Sequence, residues 1–176
     1  MKYYSGGGDD GSTYICNSRV AKTDKLVKAI GDLDELNAFL GNALSKIKYG
    51  NVKDVLKQVE HDLYLLSGEL SAHIDKSAPE KKISEKNVKF IEDSIASYAK
   101  EIKDITNFIY PNGFDGATSL NVCRTIARRT ERTVLDADVS DVYVLKYLNR
   151  LSSLLFVMFR YVNKSDNFKE YVFRLD

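Results

Sequence analysis

Five stretches of this sequence carry apolar residues at helical spacing, and that recurrence limits the possible folds more than any other feature. The first runs from about Asp32 to Ile47, with Leu33, Leu36, Leu40, Ala43, Leu44 and Ile47 on one face and Asp32 and Glu35 at the spacing of a capping box. The second spans Val52 to Ile74, with Val52, Val55, Val59, Leu63, Leu66 and Leu70 on one stripe, and ends before Pro79. The third occupies Ser84 to Lys103 with Val88, Ile91, Ile95, Tyr98 and Ile102 inward. The fourth covers Ala117 to Asp136 and the fifth Ser140 to Asn163. The fifth is apolar almost all round (Leu145, Leu148, Leu151, Leu154, Leu155, Phe156, Phe159), as befits a helix that others surround. Residues 1–30 carry no helical period. The pattern predicts an all-α fold, a five-helix bundle with an irregular glycine-rich amino-terminal segment. With 176 residues, 44% of them apolar, the chain suits one domain: the irregular segment 1–30, a bundle over 31–164 and a tail over 165–176.

Charge and cysteine usage exclude several functions. The net charge is only +1, so no global field draws the protein to nucleic acid or an anionic membrane surface, and any basic site is local. Cys16 and Cys123 lie far apart in sequence and read as reduced thiols. The first fifteen residues lack the apolar core of a signal peptide, which predicts a cytoplasmic protein. Leu145 to Val162 is apolar, but Lys146, Asn149, Arg150 and Arg160 interrupt it, so it reads as a core helix rather than a membrane span. A ferritin-like di-metal bundle needs paired Glu-x-x-His motifs. Here Glu69 precedes His73 by four positions, His61 stands apart, and both histidines read as partly exposed helix residues, leaving no metal-ligating set.

The fourth helix poses the functional question, because RTIARRTERTVL (Arg124 to Leu135) places four arginines in a core-facing pattern. Leu120, Cys123, Ala127, Thr130 and Val134 form its core stripe, with Arg124, Arg128 and Glu131 along the edge and Arg132 beside them. A guanidinium at a core border needs an anion. That anion is either a carboxylate in an internal network with Glu131 or a ligand. Asp34, Asn37 and Gly41 edge the first helix in the same way, making Asp34 a candidate partner for Arg124, while Asn149 falls within the inward face of the fifth helix. ITNFIYPNGFDG (Ile105 to Gly116) is a non-periodic loop with aromatics, a functional suspect. YYSGGGDDGST (Tyr3 to Thr13) offers backbone amides and hydroxyls to an anion without forming a P-loop, Asp9 and Asp10 are placed to face magnesium through water, and Lys22 is a candidate phosphate donor.

Taken in order, the start Tyr4 to Thr13, RVAK (Arg19 to Lys22), GDLDELNAFLG (Gly31 to Gly41), NFIYPNG (Asn107 to Gly113), RTIARRTER (Arg124 to Arg132) and YLNRLSSLLF (Tyr147 to Phe156) resemble the PduO-type ATP:cob(I)alamin adenosyltransferases over nearly the whole chain. The resemblance implies a homotrimer of five-helix bundles with an active site at each subunit interface. There the 5′-deoxyadenosyl group of ATP passes to cob(I)alamin, giving adenosylcobalamin and triphosphate, with Mg2+ accompanying ATP. It implies an ATP-phosphate loop at Ser5, Gly6, Gly7, Gly8 and Thr13, helped by Lys22, within an ATP-binding segment 1–30. It assigns Arg128, Glu131 and Arg132 to nucleotide and catalytic positions and Asn149 to ATP. Asp34 and Arg124 match an inter-subunit pair, Asn37 lines the same cleft, and Phe108 matches an aromatic that displaces the lower axial ligand of the corrinoid. A cobalamin reductase or an adenosylcobalamin-dependent enzyme is the protein partner that this chemistry implies. The chain departs from the family at Gly6 and Asp10, where lysines are usual, and at Ile30 and Asn112, where an aromatic and a glycine are usual. These departures shift phosphate attraction onto Lys22 and the arginines. The competing reading is a non-enzymatic ATP- or corrinoid-binding sensor or carrier, or a scaffold whose arginine stripe is a salt-bridge seam.

Overall fold

A computed structural model describes residues 3–4, 6–78 and 82–174. A short hairpin, β1 (Ser12–Ile15) and β2 (Ser18–Ala21), precedes five helices: α1 (Lys25–Lys46), α2 (Gly50–Ile74), α3 (Glu85–Ala99), α4 (Asp115–Asp136) and α5 (Val142–Ser165). The two strands are antiparallel, with Thr13 opposite Val20. The hairpin was not foreseen in the irregular amino-terminal segment, because a four-residue strand is too short to establish an alternation.

The first helix begins earlier than Asp32. Asp24 is its N-cap, accepting a hydrogen bond from the Leu26 N–H at 2.8 Å. Asp32 and Glu35 therefore sit inside the helix, and their carboxylates serve a tertiary contact: Thr133 donates to Asp32 at 2.6 Å, and Arg129 pairs with Glu35. α3 is shorter than expected, ending at Ala99, with Ser84 and Asn87 forming its capping box. α5 starts behind Asp141, whose carboxylate accepts from the Tyr143 N–H at 2.8 Å.

The side-chain contacts fix the topology. Lys25 reaches Asp136 and Lys46 reaches Ser119, so α1 and α4 are antiparallel. Asn149 meets Glu131 and Asn163 meets Asn112, so α5 runs back along α4. Arg150 pairs with Glu92 and Lys164 with Glu101, so α3 runs parallel to α5. The bundle thus goes up and down through all five helices, with α1 packed most closely on α4 and α2, and α5 on α4 and α3. One end gathers the hairpin, the start of α1 and the ends of α2 and α4. The other end gathers the α3–α4 connection, the start of α4 and the end of α5.

The core is the set of stripes that periodicity marks. Leu33, Leu36, Leu40, Leu63, Leu66, Leu120, Cys123, Ala127, Val134, Leu148, Leu151 and Leu155 are all buried. α5 is long and apolar enough to cross a bilayer by length and composition, and its apolar face lies in this core. Within the core, Asp62 accepts from Gln58 and Asn87, each at 2.9 Å, tying α2 to α3. Burial, and after it the Asp62 charge, pushes the Tyr147 phenol well above its usual range.

Candidate functional site

Beside the buried core stripe of α4, its arginines are half-buried (Arg124) or exposed (Arg128, Arg129, Arg132). Arg124 is half-buried, and its Nε donates to Asn121 Oδ1 at 2.7 Å, one turn earlier on the same helix. Desolvation, and then the neighbouring Arg128 charge, lowers its pKa, which leaves a guanidinium still protonated. Asp34 is exposed and makes no ion pair with Arg124 within the chain. No carboxylate among the described residues pairs with Arg124. Arg128 is exposed, and its guanidinium has no carboxylate partner among the described residues. Arg132 donates from Nη1 to the Arg128 carbonyl at 2.9 Å.

Glu131 accepts from Asn149 Nδ2 at 2.9 Å, and the Asn149 carbonyl accepts from Arg150 at 3.2 Å. Asn149 lies on the exposed side of α5, which corrects its expected inward placement. Leu148, Leu151 and Leu155 take the core face, and Asn149 is turned about 100° from Leu148, toward the α4 edge. Asn37 is buried on α1, and its side-chain oxygen has no hydrogen-bond partner. His61 and His73 are both exposed.

The loop before α4 forms the wall of a cleft of about 1230 Å³. Phe108 lines it and is 83% exposed, alongside Asn107, Ile109 and Pro111, with Arg124 and Asn121 from α4 and Phe156 and Phe159 from α5. The sequence reading did not find the other contributors, Phe173 and Arg174 of the carboxyl-terminal tail, because a docked tail leaves no periodic signature. Gly113 closes this loop against α5. A Cβ there would be driven into the Asn163 amide, which also holds the Asn112 carbonyl at 2.9 Å.

The glycine-rich loop lies at the opposite end of α4 from Phe108. Gly6 and Gly11 have positive φ (70° and 85°), which side chains other than glycine rarely adopt. Lys22 donates from Nζ to the Gly8 carbonyl at 2.7 Å, so this ammonium sits on the loop backbone. Thr13 lies in β1 opposite Val20. Asp10 accepts from the Ser12 N–H at 3.1 Å and pairs with Arg19, which removes it as a free carboxylate. Ser5, assigned to the phosphate loop, lies outside the described residues, whereas Gly6, Gly7 and Gly8 lie within them. The hairpin is docked by Asp75 at the end of α2, which accepts from Asn17 N–H at 2.7 Å and Ser18 Oγ at 3.1 Å.

The family model for cobalamin adenosyltransferase matches residues 3–162, from the glycine-rich start through all but the last turn of α5. The chain belongs to the cobalamin adenosyltransferase family. It is 35% identical over 170 residues to the corrinoid adenosyltransferase of Bacillus subtilis, covering 93% of this chain and 87% of that one. It is 34% identical over 165 residues to the corrinoid adenosyltransferase PduO of Citrobacter freundii, covering 91% of this chain and 49% of that longer protein. Among solved structures, a variant PduO-type ATP:corrinoid adenosyltransferase from Lactobacillus reuteri, complexed with cobalamin and ATP, superposes with a TM-score of 0.91 at 29% identity, covering 98% of this chain and 97% of that one. A second variant from that organism, complexed with ATP, has a TM-score of 0.88 at 30% identity, covering 97% and 99%. The activity is ATP-dependent adenosylation of a corrinoid, which sets aside the sensor and scaffold readings.

Proposed function

We propose that the Phe108 cleft receives the corrinoid and that the α4 cations receive the triphosphate of ATP, with Arg124 at the junction. The observation that carries this reading is one edge of α4 on which a cleft-lining arginine and an exposed one, neither bound to a carboxylate among the described residues, stand beside an aromatic wall. In the reaction, cobalt(I) attacks the 5′ carbon of ATP. A Co–C bond forms, the C5′–O bond breaks, and its electron pair leaves on triphosphate. The protein needs no nucleophile of its own. Its task is to stabilise the leaving charge and to keep water from the metal's lower face.

Arg128, Arg132, Lys22 and the amides of Gly6, Gly7 and Gly8 are the donors for the triphosphate, with Ser5 and Thr13 adding hydroxyls. Asn149 holds the nucleotide, and its bond to Glu131 orients both side chains toward the same edge. Asn37, whose buried oxygen has no hydrogen-bond partner among the described residues, would contribute a nucleotide contact from α1. Phe108 fills the space of the corrinoid's lower ligand. Mg2+ would ride on the phosphates: Asp10 is already engaged by Arg19, Asp9 is the remaining loop carboxylate, and the described residues contain no cluster of three metal-ligating side chains.

The glycine-rich loop and Phe108 stand at opposite ends of the bundle, with the α4 arginines between them. α4 has 22 residues. That puts the hairpin end and the Phe108 end roughly 33 Å apart at the usual helical rise. A second copy that brings its glycine-rich segment and its Asp34 to this α4 closes the gap, so we read the enzyme as a homotrimer with shared sites, Asp34 of one subunit meeting Arg124 of the next. Residues 1–30 are the nucleotide-binding segment of a single domain, 31–164 the bundle and 165–176 the tail. We place the reaction in the cytoplasm. A reductase that supplies cobalt(I), or an enzyme that uses the product, is the fitting protein partner. The test is to supply reduced cobalamin, ATP and magnesium and measure adenosylcobalamin and triphosphate in equal amounts. Those products from wild-type protein, with corrinoid use lost in Phe108→Ala and triphosphate release lost in Arg128→Ala, are the expected result. Unchanged turnover in both variants would overturn the assignment.

A further inference from the structure

Arg160 lies on α5 outside the cleft, in a position that the adenosylation chemistry does not require. It is only 5% exposed. Its Nε and Nη2 donate to the two carboxylate oxygens of Glu170 at 2.8 and 2.9 Å, and Nη2 also donates to the Lys103 carbonyl at 2.8 Å. One buried guanidinium thus holds both the tail and the start of the loop that follows α3.

Those two segments are in turn bonded to each other. The Tyr110 N–H donates to the Tyr171 carbonyl at 2.9 Å and the Phe173 N–H to the Phe108 carbonyl at 2.7 Å, around an antiparallel bridge of Ile109 with Val172. The Tyr110 and Phe173 rings meet edge to face, 6.1 Å apart. Phe108 itself is exposed, so its direction is set by its backbone rather than by packing. That backbone is held by the tail, and the tail is anchored by Glu170 on Arg160.

We propose that Arg160 and Glu170 are a positioning pair for the corrinoid wall, fixing Phe108 and Phe173 in register through the tail without touching either substrate. A wall aligned before binding removes the ordering cost that a loose one would impose at each turnover. The pair should therefore affect the corrinoid half of the reaction and leave the ATP half alone. The inference rests on reading the Phe108 cleft as the corrinoid side.

The experiment compares wild type, Glu170→Asp, the double variant Arg160→Met/Glu170→Leu and Phe108→Ala. Glu170→Asp keeps the ion pair but draws the tail in by one methylene. The double variant removes both charges, so neither is left buried alone. Each protein is assayed for KM toward cob(I)alamin and toward ATP, and for the absorption change that accompanies loss of the lower axial ligand from bound cob(II)alamin. Both pair variants are expected to raise the corrinoid KM at least tenfold and weaken the absorption change, with the ATP KM within twofold of wild type. A corrinoid KM within twofold in Glu170→Asp, or equal rises in both KM values, would overturn the proposal, the second outcome showing a merely structural role. Phe108→Ala separates the two ideas. If it impairs corrinoid use and the pair variants do not, the positioning role falls and the cleft assignment stands. If Phe108→Ala is also without effect, the cleft assignment falls and takes the proposal with it.

Discussion

Arg128 carries its charge without a carboxylate neighbour among the described residues, so its guanidinium is available to a polyphosphate at no cost in broken ion pairs. Replacing it with alanine is expected to cost about 3 kcal/mol of transition-state stabilisation, roughly a hundredfold in triphosphate release. Activity within about threefold of wild type would remove Arg128 from the mechanism, since threefold is well under 1 kcal/mol. Glu69 is the opposite case. It is buried on α2 and accepts from the Ile83 N–H at 3.0 Å, and burial raises its pKa. The folded state therefore holds the Glu69 proton more tightly than the unfolded chain does. Its contribution to stability falls as pH rises through the raised pKa and is least favourable at neutral pH. Glu69→Gln keeps an oxygen facing Ile83 and removes the buried charge, so the neutral-pH Tm should rise, and a fall in thermal melting would contradict this. The charged residues of α4 could be picked out from sequence because their offsets are local. Which of them are paired could not, because Arg129 finds its carboxylates on α1, far away in sequence.

At the scale of elements, the loop before α4 depends on Gly113, where an added methyl would strike Asn163. Gly113→Ala is expected to destabilise the fold by about 1–3 kcal/mol, the usual cost of overpacking, and to lower corrinoid use through displacement of Phe108. Denaturant unfolding alongside steady-state assay would check both, and an unchanged midpoint would show that the loop yields freely. The hairpin has a pH-dependent tether. The Ser77 N–H and hydroxyl first, then Asn17 and Ser18, hold the Asp75 carboxyl down to about 2 from an ordinary 3.8. A depressed carboxyl stabilises the docked state above its unfolded pKa and loses that contribution as pH falls. Hairpin docking should therefore weaken as pH falls below 3.8, by the Asn17 and Ser18 share of that shift since the Ser77 bonds persist undocked, and Asp75→Asn should weaken it at all pH values. Hydrogen exchange of the Asn17 amide, unaltered in Asp75→Asn, would count against the tether. Neither role is legible in the sequence, since Gly113 meets Asn163, 50 residues on, and Asp75 meets Asn17, 58 residues back.

At the scale of the whole molecule, the separation of the glycine-rich loop from the Phe108 end makes the assembly testable by mixing. Lys22→Ala and Arg128→Ala subunits, unfolded and reassembled together at equal amounts, should regain about a quarter of the wild-type sites, because that fraction of shared interfaces draws both intact groups from different chains. No recovery above the two separate variants would mean that each chain completes its own site, and a monomer in sedimentation would say the same.

The sequence by itself determined the five helices and their core stripes, because helical periodicity is local and survives without knowledge of neighbours. The tertiary structure alone decided that α1 begins at Asp24 and that Asp32 and Glu35 bind α4 instead of capping a helix. It also decided that Asn149 faces the α4 edge and that the tail completes the cleft wall. Each of these depends on which distant surfaces meet. That choice is made by burying the summed apolar faces of all five helices at once, and no single segment encodes it.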